Sequence, residues 1–290
     1  MKYSIFKSIL FILMLSTPVL AQDDIVSMLN AETKEPPQPV AATFKGTRLI
    51  NGHSVETRKK GNMDFIISHR FGKLNSGSYE LYGLDQSNIR LGFEFALTNS
   101  LTVAIGRNSF EKTYDGYLKY RVIRQKTSGS PVSVTAFSST ALKTLKDATF
   151  SEQLKLEDRL AYTHQVLIAR KFNPNLSVQL MPSLVHFNSL YPEQLNHDLY
   201  AMGIGGRIKV SKRMSINAEY YYRFNELERG TFNSVAIGID IETGGHIFQL
   251  QFTNSRSMIE KGFISEIKND FFAGDIHFGF NVSRSFQISH

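Results

Sequence analysis

A chain of 290 residues without a single cysteine has no disulfide framework, no thiolate metal site and no cysteine nucleophile. It also lacks tryptophan, carries 22 Phe and 12 Tyr, and has a mean hydropathy of −0.19, which suits a soluble domain and equally a membrane barrel whose strands are half polar. The formal charge of +7, or +5 without Lys2 and Lys7, favours anions or lipopolysaccharide phosphates, the plainer reading being a generally basic surface.

The first residues, MKYSIFKSILFILMLSTPVLAQ, start basic at Lys2 and Lys7 and run apolar from Ile9 to Leu15. Small residues follow at Val19-Leu20-Ala21, the pattern of a secretory signal peptide cleaved near Ala21. That run is too short to span a bilayer, and no later stretch reaches the roughly 18 apolar residues a spanning helix needs. An exported chain of this kind enters a membrane only as a closed barrel. Residues 22–61 differ from the rest. DDIVSMLN suits one short amphipathic helix, EPPQP is an extended spacer, and FKGTRLINGHSVETRKKG is polar and basic. The segment is expected to be an N-terminal periplasmic arm or partial plug, with a disordered leader as the alternative.

From residue 62 to the end the pattern is that of an all-β, antiparallel up-and-down transmembrane barrel of about 12 strands, with ten or fourteen as the fallback. The clearest alternating segments are 63–71, 88–97, 101–108, 132–140, 176–185, 200–210, 214–224, 235–242, 247–253 and 275–286, with 116–124 and 159–170 weaker. Lengths of about 9–11 residues match a tilted strand crossing a bilayer. No stretch of helical period intervenes, which excludes parallel βαβ architectures. Turn-rich connections at 98–100, 124–131, 171–175, 211–213 and 243–245 alternate with longer ones at 72–87, 109–115, 141–158, 187–198, 225–234 and 254–273. Short periplasmic turns alternating with long extracellular loops are the mark of a bacterial outer-membrane barrel.

Alternation alone does not say which face is wet. In IRLGFEFA, Ile89, Leu91, Phe93 and Phe95 oppose Arg90, Gly92, Glu94 and Ala96. In MSINAEYYYRF, Met214, Ile216, Tyr220, Tyr222 and Phe224 oppose Ser215, Asn217, Glu219, Tyr221 and Arg223. A packed soluble core does not hold such charges unpaired, so the polar face is expected inside and the apolar face on lipid; an exported soluble β-sandwich is the competing reading. The last strand carries Phe278, Phe280, Val282 and Phe286 on one face, an ending of the kind the barrel-assembly machinery reads, with Arg284 left to snorkel.

Six stretches spaced along the chain, ATFKGTRLINGHSVE, FIISHRFG, GLDQSNIRLGFEF, RNSFEKTYDGYLKYRVIRQ, INAEYYYRF and IGIDIETGGHIFQLQFTNS, resemble an uncharacterised outer-membrane β-barrel family of Bacteroidetes-type bacteria, a domain of unknown function. The resemblance spans residues 42–286. It implies a Gram-negative outer-membrane barrel and no activity.

Constellations for chemistry are weak. None of the eight His stands in a metal-binding spacing; His69 and His186 lie near strand ends and His164 mid-strand. NGHS (51–54) offers one His and no ligand set, and TNSRS (253–257) reads as ordinary turn formers. FEKTYDGYLKYR (110–121) suits a rim site for an anionic or sugar ligand, or simply a strand mouth at the interface. Gly203, Gly205 and Gly206 have no helix after them, so they read as sites of curvature or close backbone approach.

The lumen-lining candidates are Arg90, Glu94, Lys119, Arg121, Glu219, Arg223 and Asp240. The expected function is a narrow channel or transport-associated, porin-like protein for small solutes. A lipid-modifying enzyme and an accessory barrel docking a periplasmic partner through residues 22–61 are the alternatives. Expected partners are outer-membrane lipid, lipopolysaccharide and the assembly machinery; no nucleic acid, cofactor, metal or catalytic residue is expected.

Overall fold

The computed structural model describes residues 36–145, 155–189 and 195–288. The signal peptide, its cleavage near Ala21 and the short helix expected at 23–30 lie outside the described residues. Pro39–His290 form one compact unit; of the other, Met1–Gln38, only the exposed residues 36–38 are described.

Twelve strands close into an antiparallel barrel. They are β1 (Asn62–Lys73), β2 (Ser87–Ala96), β3 (Leu101–Asn108), β4 (Tyr114–Ile123), β5 (Ser133–Leu142), β6 (Leu160–Lys171), β7 (Leu176–Phe187), β8 (Asp198–Lys209), β9 (Met214–Arg223), β10 (Ser234–Thr243), β11 (His246–Thr253) and β12 (His277–Gln287). Each pairs with its chain neighbours, and β1 closes the ring by pairing with β12 from Asn62↔Gln287 onward. Closure leaves no unpaired edge, the condition for a sheet to lie in hydrocarbon.

The two faces are inverted relative to a soluble barrel. On β2, Arg90 and Glu94 are 2% and 3% exposed, while Leu91 and Phe93 are 42% and 39% exposed. On β9 Ser215, Asn217, Glu219 and Tyr221 are buried, while Ile216 and Tyr222 are half exposed. Burying charge costs several kcal/mol unless each charge is paired, so the inward face must be a hydrogen-bonded network. Covering the outside with large apolar side chains is favourable only where hydrocarbon replaces water. Outward aromatics pair across neighbouring strands: Phe65 stacks on Phe93 at 5.0 Å, and His69 on Phe280 at 5.1 Å. Arg284, on the lipid parity of β12, lays its guanidinium over the Phe286 ring at 4.9 Å.

The short connections gather at one end. Between β2 and β3 the Thr98 hydroxyl accepts from the amides of Ser100 and Leu101, and between β10 and β11 Gly244 and Gly245 both take positive φ, as a two-residue hairpin turn requires. The β11–β12 connection at the opposite end departs from the expectation that no helix intervenes. It contains α1 (Glu260–Ser265), all six of whose residues are buried. A helix this short is below the length at which periodicity shows, and its burial comes from tertiary contacts.

Candidate functional site

Residues 39–61 run along the short-turn end and then into the bore. The Val40 amide donates to the Gln125 carbonyl, Lys171 Nζ to the Ala41 carbonyl, and Thr57 Oγ1 to the Asn99 carbonyl, all beside short turns. Between these points the chain folds into a tight hairpin: Leu49 N–H donates to Gly52 O (2.8 Å) and Ser54 N–H to Thr47 O (3.0 Å). Asn-Gly at positions 51 and 52 suits the turn. Leu49, Ile50, Asn51, His53, Ser54 and Val55 are each at most 2% exposed.

Side chains from around the ring hold this hairpin. The Glu219 carboxylate (β9) accepts from the Asn51 amide at 2.9 Å and the Gly52 amide at 3.2 Å. Asn51 Nδ2 donates to Thr253 Oγ1 (3.1 Å), and its Oδ1 accepts from Arg70 Nη2 (2.9 Å). Gly205 on β8 is where Leu49 comes down, and a Cβ there would overlap Leu49 Cδ2. A side chain at residue 52 would strike the Tyr221 hydroxyl in the same way. These close approaches explain the glycines better than any phosphate-binding loop.

The β11–β12 connection enters from the other end. Asn254 fastens its base, accepting from the Val235 amide (2.9 Å) and donating to Asn233 O (2.9 Å) and Asn269 O (3.0 Å). Lys261 of α1 reaches Glu111 (3.1 Å) and Glu266 (2.9 Å), and Glu111 also takes Lys143 at 2.8 Å. Two ammonium groups outweigh burial at Glu111 and hold its pKa at about 2. The same carboxylates push Lys261 up against its burial, while burial pushes Glu266 up. Phe263 packs edge-on against Tyr221 at 5.4 Å.

The two insertions meet inside the barrel. Glu260 of α1 receives Arg48 Nη1 at 3.1 Å and lies 3.2 Å from His53 Nε2, though the ring N–H is not aligned to donate. His53 is enclosed by Tyr117 (4.5 Å between ring centroids) and Phe137 (4.3 Å). Burial, then Arg48 and Lys119, hold its pKa well below the ordinary imidazole range against the pull of Glu94, so it sits neutral. Beside the hairpin, a cavity of about 10 Å³ between Thr47, Arg48, Gln249 and Asn281 has room for no more than one water.

The charged side chains singled out in the sequence fall into two groups. Arg90 is bidentate to Asp115 (2.9 and 2.5 Å), Glu94 accepts from the Tyr117 hydroxyl, and Lys119 donates to Thr47 O at 3.3 Å. With Glu219 and with Asp240, which accepts from Gln249 at 2.9 Å, these five are buried on the inward face. Arg121 and Arg223 sit at the strand ends instead. Arg121 donates to Asn99 O (2.8 Å) at the short-turn end, and Arg223 to Thr231 Oγ1 (2.6 Å) at the long-loop end.

The weaker constellations do not converge. His164 and His69 point outward, His186 pairs with Asp198 at 2.7 Å on the rim, and Asn254, Ser255 and Ser257 are spent on loop structure. FEKTYDGYLKYR divides its charges among Lys143, Lys261, Arg90 and the hairpin. Sequence reasoning missed Arg48, Arg70, Glu260 and Lys261. Only their presence in polar connections or on a polar strand face marked them, and nothing local marked their partners.

A family model described as a membrane bound beta barrel domain (DUF5777) matches residues 44–286. Among solved structures, the chain is similar to the NanC porin, 9% identical over 77% of this chain and 98% of that one, with a TM-score of 0.48. It is also similar to the KdgM porin, at 11% identity, 78% and 99% coverage and a TM-score of 0.46. The outer membrane protein Omp33 of Acinetobacter baumannii is 8% identical over 78% and 99%, with a TM-score of 0.43. No curated protein matched the sequence.

Proposed function

From the fact that the chain belongs to the membrane bound beta barrel family (DUF5777), we propose that it is a porin-like channel of the Gram-negative outer membrane whose bore its own segments close. One observation carries this reading: Arg48 of the hairpin and Glu260 of the inward loop meet at 3.1 Å inside the ring, and neither segment is part of the strand ladder. Twelve strands lie between eight, which side chains fill, and sixteen to eighteen, which leave an aqueous channel. A bore of this size is closed by something inside it. Here the filling is a polar hairpin and a loop, both removable without breaking a barrel hydrogen bond.

In this reading residues 39–61 are a partial plug, and Arg90, Glu94, Lys119, Glu219 and Asp240 line the path that opens, with Arg121 and Arg223 at its mouths. Their charges are of both signs, so the open path passes small solutes with weak ion selectivity. The N-terminal sequence supports export and cleavage near Ala21, with the short turns in the periplasm.

Planar-bilayer recording of the mature protein tests the proposal. The wild type is expected to be mostly closed, with brief discrete openings. Glu219→Gln removes the charge from two hydrogen bonds that hold the turn, and charge-assisted bonds are worth about 1.5–3 kcal/mol. The open fraction should rise about tenfold or more. Bilayers that stay silent for both proteins would contradict a channel and leave the accessory-barrel reading.

A further inference from the structure

The wall grips the hairpin mainly by its main chain. Gln179 (β7) donates to His53 O at 2.7 Å and accepts from Val55 N at 2.9 Å. Thr135 (β5) donates to Val55 O at 3.0 Å, Gln249 (β11) to Leu49 O at 3.1 Å, and Asn281 (β12) to Ile50 O at 3.1 Å. Lys119 (β4) donates to Thr47 O at 3.3 Å, and Glu219 takes the amides of residues 51 and 52. Main-chain donors and acceptors are common to every peptide, so this set recognises a chemical class rather than one sequence. The Gln179 amide is the clearest case, because its oxygen and nitrogen engage the N–H and C=O of residues two apart, as a neighbouring strand would. A sugar offers hydroxyls and ring oxygens but not the fixed alternation of amide N–H and C=O along an extended chain.

We propose that the bore is a peptide-binding site in which residues 46–55 are the tethered occupant, and that a free oligopeptide takes the same place when they leave. The inference rests on the reading that the bore opens. It names the substrate class: a short peptide with an apolar residue seated at Gly205 and Met181, followed three positions later by glycine beneath Tyr221.

The test uses the full mature chain carrying Gly52→Ala, which forces the tethered turn against the Tyr221 hydroxyl and frees the bore. A synthetic peptide of residues 43–57, the same peptide with Gly52→Ala, and maltohexaose are added to the conducting variant. The native peptide should block the current at a concentration about tenfold lower than its alanine version. Thr135→Val with Gln179→Leu in the wall should weaken the block about tenfold or more, since three main-chain contacts are lost. Maltohexaose should not block. Conduction without block by the native peptide, or block by the sugar instead, overturns the peptide site and leaves the channel standing. A folded but silent variant overturns the channel reading itself. Should Gly52→Ala not insert, the native peptide with a photoreactive group at position 49 is offered in vesicles to the Glu219→Gln barrel, whose tethered hairpin is released more often. Cross-links at Met181 or Gly205 support the proposal, and their absence contradicts it.

Discussion

Two inward residues carry opposite electrostatic problems. Arg90 is buried and satisfied by both oxygens of Asp115. Asp115→Ala leaves that guanidinium without a partner, and breaking a buried pair costs about 3–5 kcal/mol. Urea unfolding of the barrel in detergent should show a loss of that order; an unchanged midpoint would mean Arg90 is paired elsewhere. His53 is buried neutral, with Arg48 on its own hairpin, Arg90 and Glu94 on β2, Tyr117 and Lys119 on β4, and Glu260 on α1 around it. Its pKa in the closed form lies below its solvent value of about 6.5, so protons bind the released form better. The closed form therefore weakens as pH falls through about 6.5. The open fraction should rise between pH 7 and pH 5 and lose that slope in His53→Gln. An identical slope in the variant would remove His53 from the account. Alternation in 89–97 separated Arg90 and Glu94 from Leu91 and Phe93, because strand geometry is local. It said nothing of Arg48 and Glu260, whose contact joins positions 212 residues apart.

The strands were legible as elements and the inward loop was not. Each expected alternating segment is a strand, with ends displaced by a residue or two, because the bilayer imposes one length and one period on all of them. The loop after β11 obeys no such constraint. Its polar residues NSRS read as ordinary turn formers, yet Asn254, Ser255 and Ser257 are buried, with Asn254 fastened to β10 and Asn269. What holds α1 inward is the Lys261 link between Glu111 and Glu266. Lys261→Met removes it, leaving Glu111 to Lys143 alone and Glu266 without this ammonium. Limited proteolysis should then cut within 254–276 in intact barrels while the wild type resists; equal rates would show that packing of Phe263 alone suffices. Because the Glu111 pKa is depressed to about 2, its contribution to the latch is full above its ordinary range near 4.5 and is lost only as pH falls toward 2. Acid that weakens the hairpin at pH 5 therefore leaves the Glu111 arm of this latch paired, while the Glu266 arm, whose pKa burial raises, weakens first.

On the scale of the molecule, a mean hydropathy near that of a soluble protein comes from two surfaces of opposite character, apolar toward lipid and polar toward the bore. The ring gives stability through closure, and the hairpin and loop occupy its interior. The two functions use different bonds: strand-to-strand main-chain bonds hold the barrel, while side-chain bonds from wall to main chain hold the hairpin. In the proposed channel, that division lets the hairpin leave without unfolding the ring. The native chain has no cysteine, so a single engineered pair reports on this alone. Leu49 and Gly205 meet across the hairpin–wall contact, and Leu49→Cys with Gly205→Cys places two thiols there. The decisive measurement is the bilayer conductance of this double variant, oxidised and then reduced in the same membrane. Silence when oxidised and discrete openings after reduction would establish that the N-terminal hairpin closes a channel. Conduction through the oxidised, disulfide-locked barrel, or silence in both states, would contradict it.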